Sequence, residues 1–188
     1  MTNHTVPLRA GSLLVATPLI DDPNFEKTVV YLIDHGEDGS AGIVINRVAD
    51  TPLSSGLAGW TMLTSPPVEL FTGGPVGLGG LLGLGLASGG MSEDLFSPID
   101  WPLGAVDLEA EPSLLEGCLS ALRIFSGYTG WGPGQLDGEL GMGAWWVFES
   151  EPLDVFCAKP NELWHAVLQR QGGPYRLYGF APDDPTLN

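Results

Sequence analysis

Residues 28–46 read TVVYLIDHGEDGSAGIVIN. Two β-branched runs, Thr28–Asp34 and Ala41–Asn46, flank the polar, glycine-bearing connection HGEDGS, the pattern of a β-hairpin. Neither run alternates between apolar and polar residues, so both faces of these strands are expected to be covered. If Asp34 pairs near Ala41, Asn46 falls beside Val29. His35 then sits at the turn end, about 17 Å away at strand spacing. Asn46 is thereby placed at the end of the sheet entered by Asp21-Asp22-Pro23-Asn24-Phe25, and a site shared by Asp22 and Asn46 becomes possible. His35, like His165 and the terminal His4, is expected to be solvated.

Working outward, further strands are expected at Ser12–Ala16, Val68–Phe71, Leu81–Ala87, Ala105–Glu109, Arg123–Tyr128, Ala144–Glu149 and Tyr175–Phe180. Helices are expected at Pro112–Leu122, where Leu114, Leu115, Cys118, Leu119 and Leu122 form one stripe, and at Pro160–Arg170, with a weaker one at Leu53–Gly59. Strands outnumber helices and do not alternate with them. The fold class is therefore α+β, a single domain over residues 1–188 with a largely antiparallel sheet.

Composition narrows the function. The chain has 188 residues with 7 Lys and Arg against 23 Asp and Glu, a net charge of −16, and 27 glycines. Such charge argues against nucleic-acid binding, which draws on cationic neutralisation of phosphates. The amino terminus lacks the basic and apolar blocks of a secretory signal. The charge-free stretch Leu70–Ser92 is long enough to cross a bilayer, but its glycine clusters read as turns. A soluble cytoplasmic protein with no membrane contact is expected. Cys118 and Cys157 stand far apart in no metal-ligand spacing and are expected to be buried, reduced thiols. With three scattered histidines, they imply no metal and no cofactor.

Two glycine-rich motifs invite a functional reading. Gly127–Trp146 reads GYTGWGPGQLDGELGMGAWW, a loop through Gly130, Trp131 and Gly134 that runs into a short helix starting at Pro133. Gln135 and Glu139 share one face of that helix, and Leu136 and Leu140 share the buried one. The segment is either a polar-ligand site at a helix N-terminus or a tight structural turn, and the turn is favoured. Gly73-Gly74-Pro75 is likewise more readily a turn than an anion-binding nest.

The segment Gly11–Arg47 (GSLLVATPLIDDPNFEKTVVYLIDHGEDGSAGIVINR), the motif FTGGPV at Phe71–Val76 and the motif Gly127–Trp146 together resemble the AlgH/YqgE family of bacterial proteins. The tail from Leu163 resembles its actinobacterial members. The resemblance implies a compact α+β domain with a curved, barrel-like sheet flanked by helices. It implies no catalytic residues and no cofactor. Some members are called transcriptional regulators, but this chain shows no basic recognition helix. Where many members carry a polar, often histidine-bearing strand after GGPV, this chain has the apolar GLGGLLGLGLA.

The leading expectation is a non-catalytic protein that binds an unknown small ligand or protein partner. Its surface would be built from Asp22, Asn24, Phe25 and Asn46, from Gly73, Gly74 and Pro75, and from Gly130, Trp131, Gly134, Gln135 and Glu139. The alternative is a small-molecule enzyme with Asp22 or Glu139 as general base.

Overall fold

The hairpin forms as its residues dictate. In a computed structural model, which describes residues 6–53 and 55–180, β2 (Val29–Gly36) and β3 (Gly39–Val44) pair antiparallel with Asp34 opposite Ala41 and Val30 opposite Val44. β1 (Ser12–Ala16) joins the outer side of β2, and β9 (Trp145–Glu149) joins β1. On the other side of β3 runs the long β8 (Leu119–Trp131). β8 also carries β5 (Val76–Ala87) and the short parallel β4 (Leu70–Thr72). β7 (Leu103–Val106) and β6 (Phe96–Asp100) complete a nine-stranded sheet in the order β6-β7-β5-β8-β3-β2-β1-β9, with β4 on β8.

The sheet is a curled half-barrel, and its two faces explain the unbroken apolar runs. Val29 and Tyr31 of β2 point inward with Leu13, Ile43, Phe71, Leu84 and Phe125, while Val30 and Leu32 point outward beside Leu14, Val44 and Trp145. The inner face is covered by α2 (Leu163–Gln171) through Leu163, Trp164, Val167 and Leu168. Part of the outer face is covered by α1 (Gln135–Gly141) through Leu136 and Leu140. A second outer cluster gathers Leu57, Trp60, Phe96, Leu115, Leu122 and Ile124.

Several expected elements differ. Pro112–Leu122 is not a helix. A 3-10 turn at Pro112–Leu115 gives way at Gly117, whose φ of 77° is left-handed, and Leu119, Ala121 and Leu122 instead pair with β5. Tyr175–Phe180 is not a strand but α3 (Tyr175–Gly179). Tyr175 and Tyr178 both reach the Trp146 ring, at 5.5 and 5.1 Å, a three-residue spacing that a strand would place on opposite faces. The weak helix at Leu53–Gly59 becomes a 3-10 helix over Ser55–Trp60. Gly130 and Trp131 belong to the end of β8, not to a loop, and α1 starts at Gln135 rather than Pro133. The strand expected at Ala105–Glu109 ends earlier, at Val106, and follows β6, which its sequence did not announce.

Cys118 and Cys157 are free and half-buried rather than fully buried. His35 is not simply solvated, because its Nδ1 lies 2.8 Å from Ser40 Oγ across the turn. The His165 ring stacks edge-on against Trp164 at 4.9 Å. His4 lies outside the described residues. Among the described residues no helix is long and apolar enough to cross a membrane.

The two edge strands approach one another at a single clasp. Arg9 reaches Asp100 at the end of β6, 3.2 Å away, and Glu149 at the end of β9, 3.0 Å away. The hydrogen bond to Asp100 raises the Arg9 pKa, so the guanidinium stays charged. All three side chains are nearly half exposed, which limits the ion pairs to below about 1 kcal/mol. Arg9→Gln is expected to lower the melting temperature by no more than about 3 °C in thermal denaturation at 0.1 M salt. A much larger loss would mean that the clasp, rather than the apolar interior, holds the curl.

Candidate functional site

Glu139 is the centre of the most densely bonded polar cluster on the outer face. Its place follows from the seven-residue α1, which packs Leu136 and Leu140 against the sheet and leaves Gln135 and Glu139 on the adjoining face. Glu139 Oε2 accepts the indole N–H of Trp131 at 2.9 Å and that of Trp145 at 2.8 Å. Its Oε1 accepts the Gln135 amide at 3.0 Å. Gln135 Oε1 in turn accepts the Gly132 N–H at 3.1 Å, closing the turn before the helix. The Trp131 and Trp145 rings meet edge to face at 6.0 Å, and Phe25 meets Trp145 the same way at 5.8 Å. One carboxylate thus ties the last residue of β8, the first residue of β9 and α1 together.

Beside this cluster lies a cleft of about 400 Å³. It brings together Asp22 and Phe25 from the loop before β2, Gly130 and Trp131 from β8, and Gln135 and Glu139 from α1, with Ile20, Asp21, Thr129, Ala144 and Trp145. Asp22 shapes its own loop, since its Oδ1 accepts the main-chain N–H of Asn24 at 2.8 Å and the Asn24 amide at 3.0 Å.

The other residues singled out in the sequence go elsewhere. Asn24, Gly74 and Pro75 line a second, smaller cleft of about 200 Å³ with Val44, Arg47, Thr72 and Leu78. Asn46 does fall beside Val29, but it is buried. Its Oδ1 accepts the Val29 N–H at 2.9 Å and its amide donates to the Lys27 carbonyl at 3.0 Å, so it staples the start of β2 and faces neither cleft. Gly73 is buried, with its N–H given to Ser126 and its carbonyl accepting from Val44, which leaves no nest for an anion. Gly134 is an exposed turn residue before α1.

Trp145 and Ile20 of the main cleft were not singled out in the sequence. Trp145 stands six residues beyond Glu139, and no local periodicity links a strand residue to a helix residue at that distance. A different residue escaped notice altogether. Arg123 is fully buried in β8, with no carboxylate partner among the described residues.

The Glu139 cluster carries a stability prediction. Replacing Glu139 with leucine leaves two indole donors and one amide without acceptors, at roughly 1 kcal/mol or more each. Glu139→Leu is expected to lower the melting temperature by about 6–12 °C. Glu139→Gln, which keeps one oxygen acceptor, is expected to lose less than half as much in the same melts. Equal loss in both variants would show that the carboxylate's charge, not its acceptor geometry, is what matters.

The curled α+β half-barrel is a fold found in solved structures of bacterial proteins. The chain belongs to the AlgH-like family, DUF179, whose model matches residues 13–176. A UPF0301 protein of Streptomyces avermitilis is 50% identical over 183 residues, covering 95% of this chain and 94% of that one. Another, from Thermobifida fusca, is 43% identical over 187 residues and covers 95% and 94%. The crystal structure of a protein from Corynebacterium diphtheriae is similar at a TM-score of 0.88 and 28% identity, covering 94% of each chain. The solution structure of the AlgH protein from Pseudomonas aeruginosa is similar at a TM-score of 0.71 and 28% identity, covering 96% of this chain and 98% of that one.

Proposed function

We propose that the protein is a cytoplasmic binding protein, and that the cleft between the Asp21–Phe25 loop and α1 receives a ligand or partner segment without converting it. The observation that carries this reading is the state of Glu139. A general base needs a free lone pair directed at a substrate proton. Three of the four acceptor sites of Glu139 are instead taken by donors from the fold itself, two on Oε2 and one on Oε1. Asp22 spends Oδ1 on its own loop, so only its Oδ2 is left for an enzymatic alternative. What remains for recognition is shape, the apolar wall of Ile20, Phe25 and Ala144, and the exposed polar rim.

The test is a fragment screen read by two-dimensional NMR on the indole N–H signals of Trp131 and Trp145, assigned with Trp131→Phe and Trp145→Phe. Compounds that occupy the cleft are expected to shift these two signals and to be recovered unchanged. Chemical turnover of a bound compound, abolished in Asp22→Asn, would replace the binding reading with an enzymatic one. Silence of both indoles towards every compound and peptide would remove the cleft from consideration.

A further inference from the structure

The main cleft does not end at Trp131. A second cleft of about 400 Å³ lies on the other side of the same residue, against the β2–β3 turn. The two share Trp131 as a lining residue and lie side by side, a paired groove on either side of that ring. Its charge is one-sided. Asp21 and Asp22 stand at one end, and Asp34, Glu37 and Asp38 at the other. Asp21, Asp34, Glu37 and Asp38 are exposed, and among the described residues none of their side chains is engaged in a hydrogen bond or ion pair.

None of the chain's seven Lys and Arg lines the groove. Most of these cations are used elsewhere. Arg9 closes the sheet seam, Arg47 bonds the Pro23 and Glu26 carbonyls, Lys159 pairs with Glu162, and Arg170 pairs with Asp154. Arg123 is buried. The countercharge of the groove is therefore not supplied from within the molecule.

From this charge complementarity we infer that the groove is the docking surface for an extended basic segment of a partner protein, a stretch of Lys or Arg interspersed with apolar residues. This rests on the binding reading above and gives its ligand a chemical class. Lys and Arg carry aliphatic stems that pack on apolar walls while the charged head seeks carboxylates. Ile20, Phe25 and Ala144 supply such a wall for the apolar residues between them, which a bare polyamine would leave uncovered. Carboxylates at both ends of the groove match charges spaced along an extended chain.

The experiment titrates the intact protein with a fluorescein-labelled nonapeptide, Lys-Leu-Lys-Gly-Lys-Leu-Lys-Gly-Lys, by anisotropy at 0.1 M salt. Spermine is the competitor, and the same peptide with Glu for Lys is the control. Two variants neutralise the two ends, Asp21→Asn with Asp22→Asn, and Glu37→Gln with Asp38→Asn. A third, Glu109→Gln with Glu116→Gln, removes two exposed charges that line neither cleft. Each end variant is expected to weaken the peptide about tenfold and the third less than twofold, with no binding of the acidic peptide.

Equal weakening by all three variants would mean attraction to a polyanion at large and would overturn the inference. So would a response to only one end, or spermine binding as tightly as the peptide. If the basic peptide fails while neutral or anionic fragments still shift the Trp131 and Trp145 indoles, this inference fails and the binding reading stands. If nothing shifts those indoles, both fail.

Discussion

Arg123→Met is expected to lower the melting temperature by about 10 °C at pH 7. The guanidinium is a clamp between segments distant in sequence. One nitrogen donates to the carbonyls of Val155 and Cys157, at 2.9 and 3.0 Å, and another to the carbonyl of Pro66 at 2.8 Å. The group also lies 4.2 Å from the centroid of the Phe71 ring. Burial is costly to it and pulls its pKa down to about 10, yet it remains charged at neutral pH. The sign is that of a base with a depressed folded pKa. Above about pH 10 the unfolded chain holds the proton more tightly than the folded one, so this group makes stability rise with pH there and leaves it flat near neutral pH.

Methionine removes that desolvation cost but cannot satisfy the three main-chain acceptors, which stay in place. Leaving three buried carbonyls without a donor costs roughly 1 kcal/mol or more each. At about 2–4 °C per kcal/mol for a chain of this size, thermal melts resolve the loss easily. Arg123→Lys is expected to fall between the two, since a single ammonium reaches one side of the clamp and not both. A loss below about 3 °C for Arg123→Met would show that water reaches those carbonyls.

Arg123 also marks where sequence reading stops. The hairpin was legible because β-branched runs flank a polar turn, which fixes Asp34 opposite Ala41. A β-bulge between Leu32 and Asp34, with no local signal, shifts the pairing by one residue beyond it, to Val30 opposite Val44. Leu119–Trp131 was not legible as one strand. Leu114, Leu115, Cys118, Leu119 and Leu122 fit the helical period as well as a strand does. Only pairing with β5 over Leu119–Leu122 decides between them, and that is a tertiary contact. Nor does anything local in Leu122-Arg123-Ile124 reveal an arginine whose partners are carbonyls of residues 66, 155 and 157.

The site divides along the same line. The common face of Gln135 and Glu139 follows from helical spacing, whereas their proximity to Asp22 depends on β9 pairing with β1, a tertiary contact with no local signal. That Glu139 serves two indoles is invisible locally, because Trp131 and Trp145 arrive from different strands. Asn46 shows the converse. The turn register places it near Val29, which it reaches through its side chain, and its bonds to the Val29 N–H and the Lys27 carbonyl make it a buried structural staple.

The second large effect is expected at Gly74. Gly73-Gly74 is wedged where β3 and β8 part company. The direct pairing of those strands ends at Gly42 opposite Thr129, and beyond it Gly73 bridges them, donating to Ser126 O at 2.9 Å and accepting from Val44 N at 2.8 Å. Gly74 has a φ of 150°, and a Cβ there would lie 2.3 Å from the carbonyl carbon and oxygen of Tyr128 and 2.6 Å from Thr129 N. All three are main-chain atoms of a central strand, which cannot rotate aside as a side chain would. The facing residue is glycine too, and a Cβ on Gly127 would meet Gly74 O at 2.6 Å. The motifs around Gly73 and Gly127 are therefore two halves of one close backbone contact. Gly74→Ala must pry β4 from β8 and is expected to cost about 4 kcal/mol or more, a fall in melting temperature of at least about 8 °C or loss of the folded protein. Gly79→Ala is the control within the same charge-free stretch, since nothing lies within 4 Å of its Cβ position, and it is expected to stay within about 2 °C of the parent. If Gly74→Ala melts as Gly79→Ala does, the strands separate at little cost, and the double glycine must be explained by the cleft that Gly74 lines rather than by the packing behind it.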